Sequence, residues 1–235
     1  MKKITWLIIS LFVIFCSYPC TAQVMNRNNI FAYNENITGI AVDGRIQFYE
    51  MDEKWELLSG VDLKLPSGCT GVFGFGNEAV GVISNNKAQF YTFQGRWLII
   101  PEMDLELPSG YIKVFDLEGE IIGVAANGKV KFYEFYDEWQ TIPGMDFILP
   151  FGCTDIFAIE EDVMGIIING KIQFYEFDDE WELSPDDIDF ILPVGYKEVF
   201  GFGYDVFGID MGGTIQFYII EDSWLLIPGA DLTYK

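Results

Sequence analysis

Five tryptophans, Trp55, Trp97, Trp139, Trp181 and Trp224, stand 42, 42, 42 and 43 positions apart. A Phe-Tyr pair keeps the same step at Phe48-Tyr49, Phe90-Tyr91, Phe132-Tyr133, Phe174-Tyr175 and Phe217-Tyr218, and so does a glycine at Gly39, Gly81, Gly123, Gly165 and Gly208. A fixed period of this length restricts the chain to a repeat architecture, in which each repeat is one small structural unit that its neighbours must cover. The wording divides the chain into repeats 30–71, 72–113, 114–155, 156–198 and 199–235.

The third copy shows what one repeat contains. Val114-Phe-Asp-Leu, Ile121 to Ala126, Lys129 to Phe135 and Trp139 to Ile142 are four short β-rich runs, separated by turn residues that include Asn127-Gly128 and Asp137-Glu138. An Asn-Gly pair between alternating runs is a strong hairpin signal, because a type I′ turn needs positive φ at both central positions. The same slot holds Asp43-Gly44, Asn85-Asn86, Asn169-Gly170 and Gly212-Gly213, and no window carries a competing helical period. The expected fold is therefore all-β: a five-bladed β-propeller of four-stranded repeats of about 42 residues. Strands that are apolar at successive positions fit blades covered on both faces. A five-coil solenoid is the competing architecture, but it would need shorter coils and dissimilar caps. Whether the first run, Ile30 to Tyr33, completes its own blade or locks onto the last one is open in the sequence.

Ahead of the repeats, Lys2-Lys3 precede an apolar run from Ile4 to Phe15 and a small polar stretch ending Cys20-Thr21-Ala22. This is the pattern of a secretory signal peptide over residues 1–22, cut after Ala22, which predicts a secreted, extracellular or periplasmic domain over 23–235. A lipoprotein is the competing reading, although Tyr18-Pro19 before Cys20 are poor lipobox residues. No later segment approaches the length of an apolar membrane span. The formal net charge of −22 sets aside nucleic acid and anionic lipid as partners. After cleavage two cysteines remain, Cys69 and Cys153, in a slot that also accepts Tyr111 and Tyr196. Equivalent points two repeats apart in a ring are not neighbours, so buried thiols are expected and a disulfide is not.

Absent residue types bound the chemistry. The chain has no histidine, which removes Ser-His-Asp and Cys-His catalysis and the common zinc sites. Glycoside hydrolysis by carboxylates survives that test, but it needs two carboxyls in different environments, and near-identical repeats make equivalent sites. The acidic turns Glu160-Glu161-Asp162, Asp178-Asp179-Glu180 and Asp186-Asp187 lack the spacing of a calcium loop. No enzymatic activity, metal or cofactor is expected.

Two residue sets recur and could carry a function. Asp62, Asp104, Asp146, Asp189 and Asp231 occupy the corner after each Trp run, where an aspartate ordinarily accepts backbone N–H groups in a turn. The tryptophans Trp55, Trp97, Trp139, Trp181 and Trp224 either pack between blades or offer a flat face to a sugar, with Glu53, Asp137, Asp179 and Asp222 just before them as polar partners. The second copy has Gly95-Arg96 in that place.

Trp139-Gln-Thr-Ile-Pro-Gly-Met-Asp146 and Trp224-Leu-Leu-Ile-Pro-Gly-Ala-Asp231, with Val72-Phe73-Gly74, Val199-Phe200-Gly201 and Gly213-Thr214-Ile215-Gln216-Phe217, resemble the tectonin repeat. That resemblance implies a glycan-binding propeller of the tectonin and tachylectin type, though the wording departs from it in repeat length and in Phe where those repeats carry Trp. The expected function is thus a non-enzymatic, lectin-like module that binds glycans at several similar sites. A scaffold propeller that docks a surface protein is the alternative.

Overall fold

The computed structural model describes residues 29–234 except 77, 118–119, 161, 185–188, 204 and 221–222. The expected signal peptide and Asp186-Asp187 lie outside the described residues. The chain forms five antiparallel blades in sequence order, each with an inner, second, third and outer strand. The inner strands are Ile30–Asn34, Cys69–Phe75, Tyr111–Asp116, Cys153–Glu160 and Glu198–Gly203. The repeat limits at 71/72, 113/114 and 155/156 fall within these strands or close to their starts. The structural unit changes earlier, in the corners such as Pro66-Ser67-Gly68.

The hairpin between second and third strands is the two-residue turn its sequence demands. Asp43-Gly44, Asn85-Asn86, Asn127-Gly128 and Asn169-Gly170 all have positive φ at both positions, and so do Gly212-Gly213. In blade 5 the Asp210 carboxylate accepts both glycine N–H groups, at 2.8 and 3.2 Å.

The outer strand comes in two pieces. Trp55–Leu57 pairs with the end of the third strand, and Leu63–Lys64 pairs with its start. Between them Gly60 takes φ 83°, as Gly144 and Gly229 do at 85° and 77° in the equivalent places. Blade 2 has Glu102 there, a residue that disfavours the left-handed region. Its outer strand accordingly continues unbroken from Trp97 to Glu106, with a register shift opposite Ala88–Phe90.

The repeated glycine also finds its cause. Gly39, Gly81, Gly123, Gly165 and Gly208 on the second strands pair with Phe31, Phe73, Phe115, Phe157 and Phe200 on the inner ones. Each phenylalanine ring lies across its glycine, so that a Cβ there would come within 2.1–2.4 Å of the ring Cζ.

No single core exists. Five apolar clusters lie one at each blade interface, among them Phe90, Val114 and Ile122 between blades 2 and 3, and Ile40, Phe217 and Leu232 between blades 5 and 1. The ring closes without strand exchange. Ile30–Asn34 pairs within its own blade, Ile30 opposite Ile40, and blade 5 meets blade 1 through side chains.

Gly81→Ala is expected to destabilise the fold by ~1–3 kcal/mol through overpacking against Phe73. The penalty should shrink when Phe73 is also shortened to Leu, measured by denaturant unfolding in a double-mutant cycle. Strictly additive effects would show that the ring does not set the requirement for glycine.

Candidate functional site

The five tryptophans sit at the blade interfaces. One face of each indole lies on the Phe of the preceding blade's Phe-Tyr pair, with centroids 4.8–5.3 Å apart and planes inclined 20–33°. The N–H donates across the same interface: Trp55 to Ala230 O, Trp97 to Val61 O, Trp139 to Met103 O and Trp181 to Met145 O, at 2.6–2.8 Å. Each indole stays half-buried, so an edge reaches the surface. Glu53, Asp137 and Asp179 are exposed in the preceding turns, and these N–H groups point away from them to carbonyls. Asp222 lies outside the described residues.

The corner aspartates have partners other than the expected backbone N–H groups. Asp62, Asp104, Asp146 and Asp189 pair with Arg45, Lys87, Lys129 and Lys171, the first residue after each hairpin turn, at 3.3, 2.6, 3.2 and 3.1 Å. At this exposure each pair adds ~0–1 kcal/mol to stability. Thr214 takes the cation's place in blade 5, opposite the exposed Asp231.

Strand direction then sorts charge onto two faces. Inner-to-second and third-to-outer turns share one face, which carries Glu35, Glu78, Glu160, Asp162, Asp205, Asp52-Glu53, Asp137-Glu138 and Asp178-Asp179-Glu180. Lys54 and Arg96 are the cations in those turns among the described residues. The corners and hairpins of the other face hold the Arg or Lys to Asp pairs.

A cavity of about 120 Å³ runs between the inner strands, from Lys113 and Glu198 at the corner face to Glu35 and Glu160 at the turn face. Its corner end is plugged by charge. Lys113 Nζ meets Asp155 Oδ1 at 2.6 Å with both side chains buried, and the Glu198 carboxylate accepts the Asn29 N–H at 3.0 Å. Burial pushes Glu198 up to about 8, with Asp155 adding to the rise and Lys113 opposing it. Three residues further on, the strands nearly touch: a Cβ on Gly74 would lie 2.1 Å from Ala32 O, and one on Gly201 1.7 Å from Ala158 O. These plug residues were missed in the sequence, although a charged side chain two positions before Phe115, Phe157 and Phe200 is a visible exception in an apolar strand.

A second cavity of about 120 Å³ opens between blades 4 and 5. Trp224, Phe174, Leu183 and Ile159 form its apolar wall, with Ser184, Glu176, Asp189 and Asp205 supplying polar groups. A local substitution accompanies it. The residue three after each tryptophan is Leu58, Ile100, Ile142 or Ile227 in the other blades, and each of those packs onto its interface cluster. Blade 4 has Ser184 there, in the repeat that also carries one extra residue between Trp181 and Asp189. The tryptophan period alone does not reveal this cleft. The signal was the single departure in spacing.

Neither cysteine is in a disulfide. They are half-buried, not fully buried as expected, and burial pushes the Cys153 thiol up to about 11, away from thiolate chemistry. Among the described residues no group of three or more acidic or cysteine side chains is placed to hold a metal ion, and no helix is long and apolar enough to cross a membrane.

No family model and no curated protein matches the chain. Among solved structures it is similar to Kluyveromyces lactis Hsv2, at 13% identity and TM-score 0.47, covering 88% of this chain and 64% of that one. The chain thus spans less than two thirds of that protein's length. It is also similar to a functionally unknown protein from Desulfotomaculum acetoxidans, at 10% identity and TM-score 0.46, covering 85% and 67%. A Lactobacillus plantarum protein follows at 12% identity and TM-score 0.43, covering 84% and 69%. The propeller assignment stands on the strand pairings described above.

Two predictions follow from this geometry. Trp139→Ala should cost ~3–5 kcal/mol, because it removes both an interface ring and a hydrogen bond. An unchanged denaturation midpoint would mean that the indole is a surface platform. For Glu198 the folded state holds the proton more tightly than the unfolded chain does, about 8 against 4.5. Its stabilising contribution is therefore complete below pH 4.5 and is lost as pH rises through 8. Glu198→Gln keeps an oxygen for the Asn29 N–H and removes the titration. Thermal unfolding of the wild type should lose several degrees relative to this variant between pH 5 and pH 9, by the linkage of ~1.4 kcal/mol per pKa unit. Parallel pH profiles would rule out the buried proton.

Proposed function

We propose that the protein is an exported, non-catalytic binding propeller whose principal ligand is a glycan held in the cleft between blades 4 and 5. The observation that carries this is Ser184 in a slot filled elsewhere by Leu or Ile, which leaves room beside Trp224. A sugar ring needs an apolar or aromatic wall for its C–H face and fixed polar groups for its hydroxyls. The cleft has both, from Trp224, Phe174 and Leu183 on one side and Ser184, Glu176 and Asp189 on the other. The tectonin-like wording and the secretory leader support the same function. Histidine-dependent catalysis has nothing to draw on in this chain.

The proposed site differs from five equivalent tryptophan sites. In the other interfaces the aliphatic side chain occupies the space, so one cleft dominates and any further sites are weaker. A protein-docking function has its own observation in the crowd of carboxylates on the turn face, which would steer a basic partner at rates that fall with salt.

A glycan array with the mature chain, residues 23–235, run with and without calcium, tests both. Saturable binding competed by free monosaccharide is expected. It should be lost in Ser184→Ile, a change that fills the cleft with the residue other blades already use, at unchanged or raised melting temperature. Binding that survives Ser184→Ile would move the site elsewhere. A blank array together with salt-sensitive capture of a basic protein would favour the docking function.

A further inference from the structure

The corners between blades carry another surface, independent of the cleft. In blades 1 and 2 their outward slots hold Lys64 and Ser67, then Glu106 and Ser109. In blades 3 and 4 the same slots hold Ile148 and Phe151, then Ile191 and Val194. Ile148 and Ile191 are 81% and 73% exposed, and Phe151 and Val194 are exposed completely. Single exposed apolar residues need no explanation, but four at matching slots of two successive corners are a departure from chance placement.

We propose that these two corners dip into a neutral lipid surface. Equivalent loops of a ring lie at one height, so both tips meet a plane together. Each tip is a stiff turn, with Pro150 or Pro193 before it and Gly152 or Gly195 after it at φ 86° and 93°. The result is a pair of protrusions, which suits a flat, yielding medium better than the pocket of a folded partner. The charge on this face is largely cancelled, because Arg45, Lys87, Lys129 and Lys171 each meet an aspartate. The acidic turns crowd the opposite face and would point away from the lipid. An anionic bilayer would still repel a chain of net charge −22, which selects zwitterionic headgroups. The chain also enters the propeller on this side: Asn29, bonded to Glu198, begins the first inner strand at the corner end.

The test is co-sedimentation of residues 23–235 with phosphatidylcholine vesicles, comparing the wild type with a variant carrying Ile148→Lys, Phe151→Ser, Ile191→Glu and Val194→Ser. These replacements are the residues that blades 1 and 2 already hold, so the variant should fold with the same melting temperature. The expected result is partitioning that persists at high salt and falls at least ~10-fold in the variant, given ~1.4 kcal/mol per tenfold change. A Phe151→Trp protein should also shift its emission to the blue when vesicles are added. Absence of wild-type binding, equal binding by the variant, or a concentration-dependent dimer that the variant abolishes without any vesicle binding would each overturn the proposal.

Discussion

Everything in this molecule depends on the contact in which a tryptophan of one blade lies on the phenylalanine of the blade before it. A four-stranded antiparallel sheet with two apolar faces cannot exist alone in water, and stacking five of them in a ring covers both faces of each. The indole suits that seam because it combines a broad apolar surface with one donor. Its face covers Phe48, Phe90, Phe132, Phe174 or Phe217, and the N–H groups of Trp55, Trp97, Trp139 and Trp181 reach a carbonyl in the neighbouring outer strand. Those carbonyls belong to Val61, Met103, Met145 and Ala230, in or beside the stretch where the outer strand breaks or shifts register. A backbone irregularity and the donor that satisfies it are therefore the same repeated device, applied across blades.

The inner ring imposes a second constraint. Its strands come so close that Gly74 and Gly201 are required by neighbouring carbonyl oxygens, while Lys113, Asp155 and Glu198 fill the corner end with buried charge. Two carboxylates facing one ammonium cannot both be ionised at low cost in such a place. The raised affinity of Glu198 for its proton resolves this, because a protonated carboxyl leaves a neutral Lys113–Asp155 pair behind it. The plug thereby holds the start of the first inner strand against blade 5, at the seam where the first and last blades meet.

Much of the architecture was legible because it repeats. The period of the tryptophans gave the number of blades, and Asn127-Gly128 with its equivalents placed the hairpins where they lie. What repetition could not show is which neighbour a repeated side chain meets. An aspartate in a corner is compatible with a backbone N–H or with a lysine seventeen residues earlier, as Asp146 and Lys129 illustrate, since only the return of the outer strand's second piece to the start of the third strand brings the latter within reach. The destination of Ile30 to Tyr33 likewise depends on packing between the first and last repeats, which no local pattern encodes. The cleft beside Trp224 was marked by one spacing departure, but its meaning required knowing that the Ser184 slot faces an interface.

That slot also bears on what a closed ring can tolerate at one interface. Burying an isoleucine side chain stabilises a fold by ~1.5–3 kcal/mol, a substantial part of the margin of a domain of this size. The interfaces of Leu58, Ile100, Ile142 and Ile227, where the side chain is partly buried, each retain a part of that contribution, while the one at Ser184 gives it up and has a hydroxyl beside a cavity lined by both aromatic and acidic groups. A closed ring can tolerate this loss at one seam because the other seams keep its ends together, whereas an open stack would come apart at its weakest joint. The same closure gives a single altered interface its setting. It turns a nearly five-fold surface into one with a distinct position, between two blades whose spacing is fixed by the rest of the ring.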